Sequence, residues 1–547
     1  MAQSPVNVYH SLPRDLSNQK IVASSVRPVT TADLRSLLRK EGPVRPIRDR
    51  PAKLELRKPD YYTGSPWKLA KDDAILFFKN ILYLPGIVFP LWSRPPQRSF
   101  DIDSRAGDQS GFIIARLRRQ FEVYAQQYFH SGPLDELYPS FANFYDVTFH
   151  FILIIAQSAF LLSIPFLSFF SFNLVVAYII GFTVLNYVVC YGLNGYLPDG
   201  YIQSTDFPEA SLWDEQHKKE QWIFLNGVAV GQHWLRSNID RISLTFHRRV
   251  IGVHNKTNGI IFDIIQCLLE RCLYFGTSDT RACFALISEA LLRPNNEKVV
   301  LILHSQGGLE GSIILDWLIN QHPRSDLQKL EIYTFGNAAN HFNNPRIFKD
   351  AEPGQEPGTN RAIRHIEHYA NSSDFVSRWG VMNFKKKTAD QQDRSVIYNL
   401  NASVLSGRTE PKKQLSRRQI NENNKLQEAW NSYAGALFER TGSGHQFNQH
   451  YLDNMFPLDK GLSRVQQNGD GSPLPGTFMA AEVNVFNDPK QIDRLRNLHN
   501  GHHDHHGGHH HHHGINGDVT IKKVYQLSRL WEYVNGNSPR DEYATEY

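Results

Sequence analysis

The sequence predicts an α/β fold, a mostly parallel doubly wound sheet preceded by a transmembrane helical hairpin. Three observations carry this prediction. Between Val147 and Pro198 there is no Asp, Glu, Lys or Arg. Beyond that block, short apolar runs rich in β-branched residues alternate with amphipathic stretches of helical period. Within the alternation, Val299-Val300-Leu301-Ile302-Leu303 leads into His304-Ser305-Gln306-Gly307-Gly308 and a further amphipathic run. That stretch reads as a buried strand, a sharp turn and a helix with glycines on its first turns.

At 547 residues the chain exceeds one ordinary domain and suggests about two to four units. Residues 1–60 hold 12 Lys+Arg against 6 Asp+Glu, so 12 − 6 = +6, more than the whole-chain balance of +5. The basic excess therefore sits in an N-terminal arm, expected to be disordered, with anionic lipid head groups as its candidate contact. It gives no sign of a nucleic-acid-binding fold. The same 60 residues lack the apolar core of a secretory signal peptide. Residues 61–147 read as a membrane-proximal helical region. Within it, 74–92 is broken by Lys79, Pro85 and Pro90, and is expected to lie in the membrane interface with Tyr83 and Trp92 at head-group depth.

The uncharged block, 148–192, has room for two helices, since one crossing needs about 20 apolar residues. Ser171-Phe172-Asn173 offers a polar break and Pro165 a kink, so helices are expected over 148–170 and 174–191, with both ends on one side. A single tilted span and a buried helix pair are the alternatives. Few Lys or Arg flank the block. Arg116, Arg118, Arg119 and the basic arm favour a cytosolic N-terminal side, and hence a cytosolic domain.

Residues 200–460 supply the sheet. Strands are expected at 222–225, 250–254, 299–303, 330–335, 363–369 and 434–439, with helices at 260–273 and 281–292 between them. Strand after strand ends in Gly, Asn, Ser, Asp or His, and in an open parallel sheet those carboxyl ends form the ligand-binding edge. The polar stretch 385–431 is expected as a surface insertion. The tail, 461–547, contains the His-rich run 499–513, read as a flexible linker without fixed metal geometry, and a terminal helix expected over 519–534.

A serine hydroxyl is a poor nucleophile until a base takes its proton and an acid orients that base. Ser305, Asp374 and His445 stand in chain order, each just beyond an expected strand. The charge that develops on an attacked carbonyl oxygen needs backbone donors. The candidates are the N–H of Gln306 and the turn at Gly227-Val228. His450 is expected on the helix after His445, and His304 on the opposite side of its strand as a packing or hydrogen-bonding residue.

His304-Ser305-Gln306-Gly307-Gly308, Tyr369-Ala370-Asn371-Ser372-Ser373-Asp374 and Gly444-His445-Gln446-Phe447-Asn448-Gln449-His450-Tyr451-Leu452 resemble the serine, acid and histidine regions of lipase-like α/β-hydrolases. More narrowly, they look like fungal membrane-anchored members. The resemblance covers about 221–456 and the preceding anchor. It implies an α/β-hydrolase fold and a serine hydrolase of esters, thioesters or amides, with no metal and no organic cofactor. The anchor adds the bilayer as partner and an acyl-ester lipid as expected substrate. The usual elbow has a small residue two before the serine, where this chain has Leu303. Leu303 gives weight to the alternative, a non-catalytic membrane protein that uses the fold to bind lipid or to scaffold.

Cys190, Cys267, Cys272 and Cys283 show no metal or disulfide spacing, which favours a reducing compartment. Sequons at Asn255, Asn371 and Asn401 point the other way. The first two, however, fall in loops of the expected catalytic face, where a glycan would obstruct the site.

Overall fold

The computed structural model describes residues 65–93, 128–197, 200–207, 210–345, 361–385, 397–399, 433–486 and 519–539. The basic arm, Asn401, most of the polar insertion and the whole His-rich run lie outside the described residues.

Eight strands form the main sheet: β1 (Tyr201–Gln203), β2 (Glu220–Leu225), β3 (Val250–Val253), β4 (Lys298–His304), β5 (Leu330–Phe335), β6 (His365–Asn371), β7 (Ile397–Asn399) and β8 (Ala436–Arg440). Their order is β1-β3-β2-β4-β5-β6-β8-β7, with β1 antiparallel at one edge and the other seven strands parallel. The six expected strands all form, with ends shifted by a residue or two. The three-residue edge strands β1 and β7 are additions, and β7 lies inside the stretch expected as a surface insertion. Lys385, at the start of that stretch, is buried and donates from Nζ to the Tyr433 carbonyl at 2.8 Å.

The apolar run of β4 is explained by burial on both faces. Alternation divides it between two layers. Val299, Leu301 and Leu303 pack with Ile287, Leu291, Ile314 and Leu318, from helices Ser278–Leu292 and Gln306–Gln321. Val300 and Ile302 face Leu235, Ile239 and Ile242 of helix Gln232–Phe246, together with Phe447 and Tyr451. The chain leaves β2 for β3 on one side and returns to β4 on the other. The crevice between the carboxyl ends of β2 and β4 is thus the switch point where such sheets bind ligands.

Two long apolar helices precede the sheet. Phe141–Ser163 continues as the 3-10 segment Ile164–Phe169, where Pro165 tightens the last turns, and Phe172–Asn194 returns. Both are long and apolar enough to cross a membrane, with mean hydropathies of 2.1 and 2.0. The first begins before the expected 148, because the Ser140 hydroxyl caps it by accepting from Asn143 N at 3.1 Å. Its polar stripe, Asn143, Asp146, His150 and Gln157, is buried against the domain, while its Phe and Ile side chains point outward. This arrangement runs against the alternative of a buried core pair.

One expectation fails. Residues 519–534 do not form a helix: β10 (Val519–Lys523) pairs antiparallel with β9 (Glu482–Phe486), and two 3-10 turns follow. The alternating Val-Thr-Ile-Lys has a strand's period. Segment 74–92 does not stand free of the protein, although its outer face stays exposed. Helix Pro66–Asn80 and the 3-10 segment Ile81–Ile87 pack on the sheet domain, directly over its carboxyl-end loops.

Candidate active site

Ser305 joins β4 to helix Gln306–Gln321 with φ 58° and ψ −120°, a backbone conformation rare for a residue with a Cβ. Its N–H donates to the Phe335 carbonyl at 3.0 Å, and its own carbonyl accepts from Gly308 and Ala338 at 3.0 and 3.1 Å. Glycines make room for the turn. A Cβ on Gly307 would lie 2.4 Å from the Leu225 carbonyl oxygen, and one on Gly227 would lie 2.4 Å from Ser305 Cβ. Leu303 is accommodated by Gly311, one turn into the helix, where a Cβ would meet Leu303 Cδ1 at 2.3 Å. The space missing at 303 is supplied at 311.

Asp374 follows β6 and caps the short helix Phe375–Trp379, its Oδ1 accepting from Val376 N at 2.9 Å. Its Oδ2 accepts from His445 Nδ1 at 2.9 Å, Ser377 Oγ at 2.8 Å and Tyr451 OH at 2.7 Å. Burial alone would raise this carboxyl, but the charge and hydrogen bond of His445, with the Tyr451 and Ser377 hydroxyls, hold it below its usual range. His445, beyond β8, is therefore oriented through Nδ1, and its buried Nε2 has no hydrogen-bond partner. No bond joins that nitrogen to Ser305 Oγ. Both side chains nevertheless lie by the end of β5. The Ser305 N–H is held by Phe335, and a Cβ on the next residue, Gly336, would come within 3.0 Å of both His445 Nδ1 and Asp374 Oδ2. His304 packs and hydrogen-bonds as expected, but against the loop that carries His445. Its ring stacks on His445 at 4.7 Å, and its Nε2 donates to the His445 carbonyl at 2.8 Å. Burial, reinforced by the neighbouring His445 charge, pushes its pKa down to about 3, so it stays neutral.

The Gln306 N–H opens the helix and has no intrahelical acceptor. Its side chain is clamped, donating to Glu270 at 3.1 and 3.2 Å and accepting from Asn255 Nδ2 at 3.0 Å. Across the crevice, Asn226 Nδ2 donates to the Gly227 carbonyl at 3.0 Å. In a planar trans peptide this turns the Val228 N–H the opposite way. Gly227 thus provides clearance, and the Val228 N–H is the donor of this turn that points away from Asn226.

An apolar wall of Val228, Leu309, Phe375, Val376 and Trp379 lies beside the serine, closed by Phe77, Tyr83 and Ile87 from segment 66–92. The covering is backbone-bonded to the site: Gly444 N donates to the Gly86 carbonyl at 2.9 Å, and His445 N to the Ile87 carbonyl at 3.2 Å. Asn255 and Asn371 are buried, with Asn371 Nδ2 donating to the Gly444 carbonyl at 2.9 Å, so neither can carry a glycan in this fold. His450 lies in the π-helical turn Phe447–Leu452, bonded through Nε2 to the Pro90 carbonyl at 2.7 Å and turned away from Asp374. Sequence reasoning missed Tyr451, Gly336, the Glu270–Asn255 clamp and the Gly86–Ile87 contacts. Only Tyr451, six residues after His445, had a positional signal.

No protein-family model, no curated protein and no solved structure matches this chain.

Proposed function

We propose that the chain is a membrane-attached serine hydrolase of the α/β-hydrolase type that cleaves acyl esters of lipids. The carrying observation is Ser305 at φ 58° between a central strand and a helix, beside a buried His445–Asp374 pair. In this reading Ser305 Oγ attacks the acyl carbonyl as its proton passes to His445 Nε2. Asp374 holds the imidazole through Nδ1. The N–H groups of Gln306 and Val228 receive the oxyanion. The tetrahedral adduct collapses, the alcohol leaves with the proton from Nε2, and water, deprotonated by the same nitrogen, releases the acid and restores Ser305. Apart from that water, each group named in the reaction is a side chain or backbone N–H of this chain. The apolar wall suits an acyl chain, and the outward-facing apolar helices suit a substrate that resides in membrane.

The rival, a non-catalytic lipid-binding or scaffolding module, is favoured by one observation: Ser305 and His445 share no hydrogen bond. A fluorophosphonate probe separates the two. Labelling of the wild type that is lost in Ser305→Ala and falls sharply in His445→Ala supports the enzyme. An unlabelled wild type, or labelling unchanged in Ser305→Ala, overturns it.

A further inference from the structure

The two apolar helices are tied to the sheet domain at one well-defined level. Gln157 Nε2 donates to Asn186 Oδ1 at 2.8 Å and to the Asn258 carbonyl at 2.6 Å, and Asn186 Nδ2 donates to the same carbonyl at 3.2 Å. Ile261 N, at the start of helix Ile260–Leu273, donates to Gln157 Oε1 at 3.2 Å. Lys256, two residues before Asn258, is exposed there. A lysine ammonium belongs in water or among head groups, so this level lies no deeper than the membrane surface.

Beyond it, each leg of the hairpin is short. From Gln157 the chain continues to Ser163 as α-helix and to Phe169 as 3-10 helix, about 21 Å in all at about 1.5 and 2.0 Å per residue. From Asn186 back to Phe172 is also about 21 Å. A hydrocarbon core is about 30 Å thick. The tip carries no charge and is mostly aromatic: Phe166, Phe169, Phe170 and Phe172 are all exposed, Phe172 by 80 %, with only Ser168, Ser171 and Asn173 as exposed polar residues between them. Hydroxyls on the legs are satisfied from within, Ser163 by Phe160 O and Tyr178, and Thr183 by Ile179 O, as a lipid environment demands. A tip reaching the far head groups would not end in exposed phenylalanines.

The outward surface continues sideways from the hairpin. Phe262 meets Phe182 edge-on at 6.0 Å. Along the same helix Ile265, Leu269 and Leu273 form an exposed stripe at four-residue spacing. That helix packs on helix Pro66–Asn80, where Trp67, Ile75 and Phe78, with Leu82 just beyond the helix, make a second exposed stripe that includes Lys71 and is edged by Lys68 and Lys79. Apolar residues edged by lysines are what a helix lying in a bilayer interface presents.

We infer that the hairpin enters one leaflet without crossing the bilayer, and that these two stripes lie in that same leaflet, which sets segment 66–92, the covering of the Ser305 site, against acyl chains. This rests on the membrane reading of the proposed function. It narrows the substrate to an ester whose acyl chain need not leave the lipid before reaching the serine.

Single cysteines test it in the full chain, reconstituted into vesicles of phosphatidylcholine and phosphatidylserine with the domain outside; the four natural cysteines are buried. A membrane-impermeant maleimide should label Lys256→Cys from outside. Ser168→Cys and Ser171→Cys should stay unlabelled from outside, and also with reagent trapped inside, until detergent is added. Environment-sensitive fluorophores on Leu82→Cys and Leu269→Cys should be quenched by nitroxide lipids. Tip labelling by trapped reagent would show a crossing hairpin and overturn the inference while leaving membrane attachment intact. Unquenched probes would overturn the placement of the stripes. Failure of the chain to float with the vesicles would overturn the membrane reading itself.

Discussion

Asp374 Oδ2 takes hydrogen bonds from His445, Ser377 and Tyr451, so the charge of this carboxylate depends on two hydroxyls as well as on the imidazole. Removing the tyrosine hydroxyl in Tyr451→Phe deletes a bond to a charged group, worth about 1.5–3 kcal/mol. The Asp374 pKa, now below its ordinary value, should rise. A depressed carboxyl stabilises the fold above its unfolded pKa and loses that contribution as pH falls through the folded one, so Tyr451→Phe should shift acid unfolding to higher pH. The acid limb of kcat/KM for a short-chain ester should move the same way, and an unmoved limb would remove Tyr451 from the site. Leu303 and Gly311 form a second residue-scale unit. Gly311→Ala should destabilise by overpacking, about 1–3 kcal/mol, and Leu303→Ala by a cavity, about 2–5 kcal/mol. Because the new methyl would occupy the vacated space, the double variant should be more stable than the two losses summed, measured by urea unfolding.

At the scale of elements, segment 66–92 is held by a buried ion pair: Arg271 binds Asp73 through Nε and Nη2 at 2.8 and 2.7 Å, and its guanidinium lies over Trp379 at 4.1 Å. Asp73→Asn leaves Arg271 buried without a counter-charge, at about 3–5 kcal/mol. The segment should then become sensitive to limited proteolysis before the sheet does, with fluorophosphonate labelling falling in parallel. Intact resistance would show that other contacts suffice. The same segment marks where the sequence ceased to be legible. Strands β2 to β5 and β8 were readable because each carries an apolar run ending in turn residues, and β6, which holds His365, Glu367 and His368, from the turn Asn371–Asp374 that ends it; Ser305, Asp374 and His445 were readable because each follows such a strand. The docking of 66–92 was not readable, because its partners Ser373, Arg271 and His445 are hundreds of residues away and its exposed apolar stripe reads the same whether the other face is wet or packed. β1 and β7 were missed because three residues carry no period. Val519–Lys523 was misread because Val524–Val534 beyond it packs as helical turns.

For the molecule as a whole, the pairing of Val519 with Phe486 shows that 487–518, with its histidines, connects two adjacent strand ends. Replacing those residues with a short Gly-Asn turn should leave the melting temperature unchanged or raise it, since closing a shorter loop costs less by about 2–3 kcal/mol. It should also abolish retention on a nickel resin without altering fluorophosphonate labelling. A large drop in melting temperature would assign the connection a structural role. The chain order has a last consequence. Segment 65–93 precedes the two apolar helices and the sheet follows them, yet Gly86 and Ile87 bond the backbone of the His445 loop. A protease cutting between the apolar helices and the sheet would therefore release a fragment lacking the strand of chain that steadies its histidine. On the proposed reading, shedding, by which many surface enzymes become free in solution, is closed to this molecule: a cut that severs the tether also removes the covering of the candidate site.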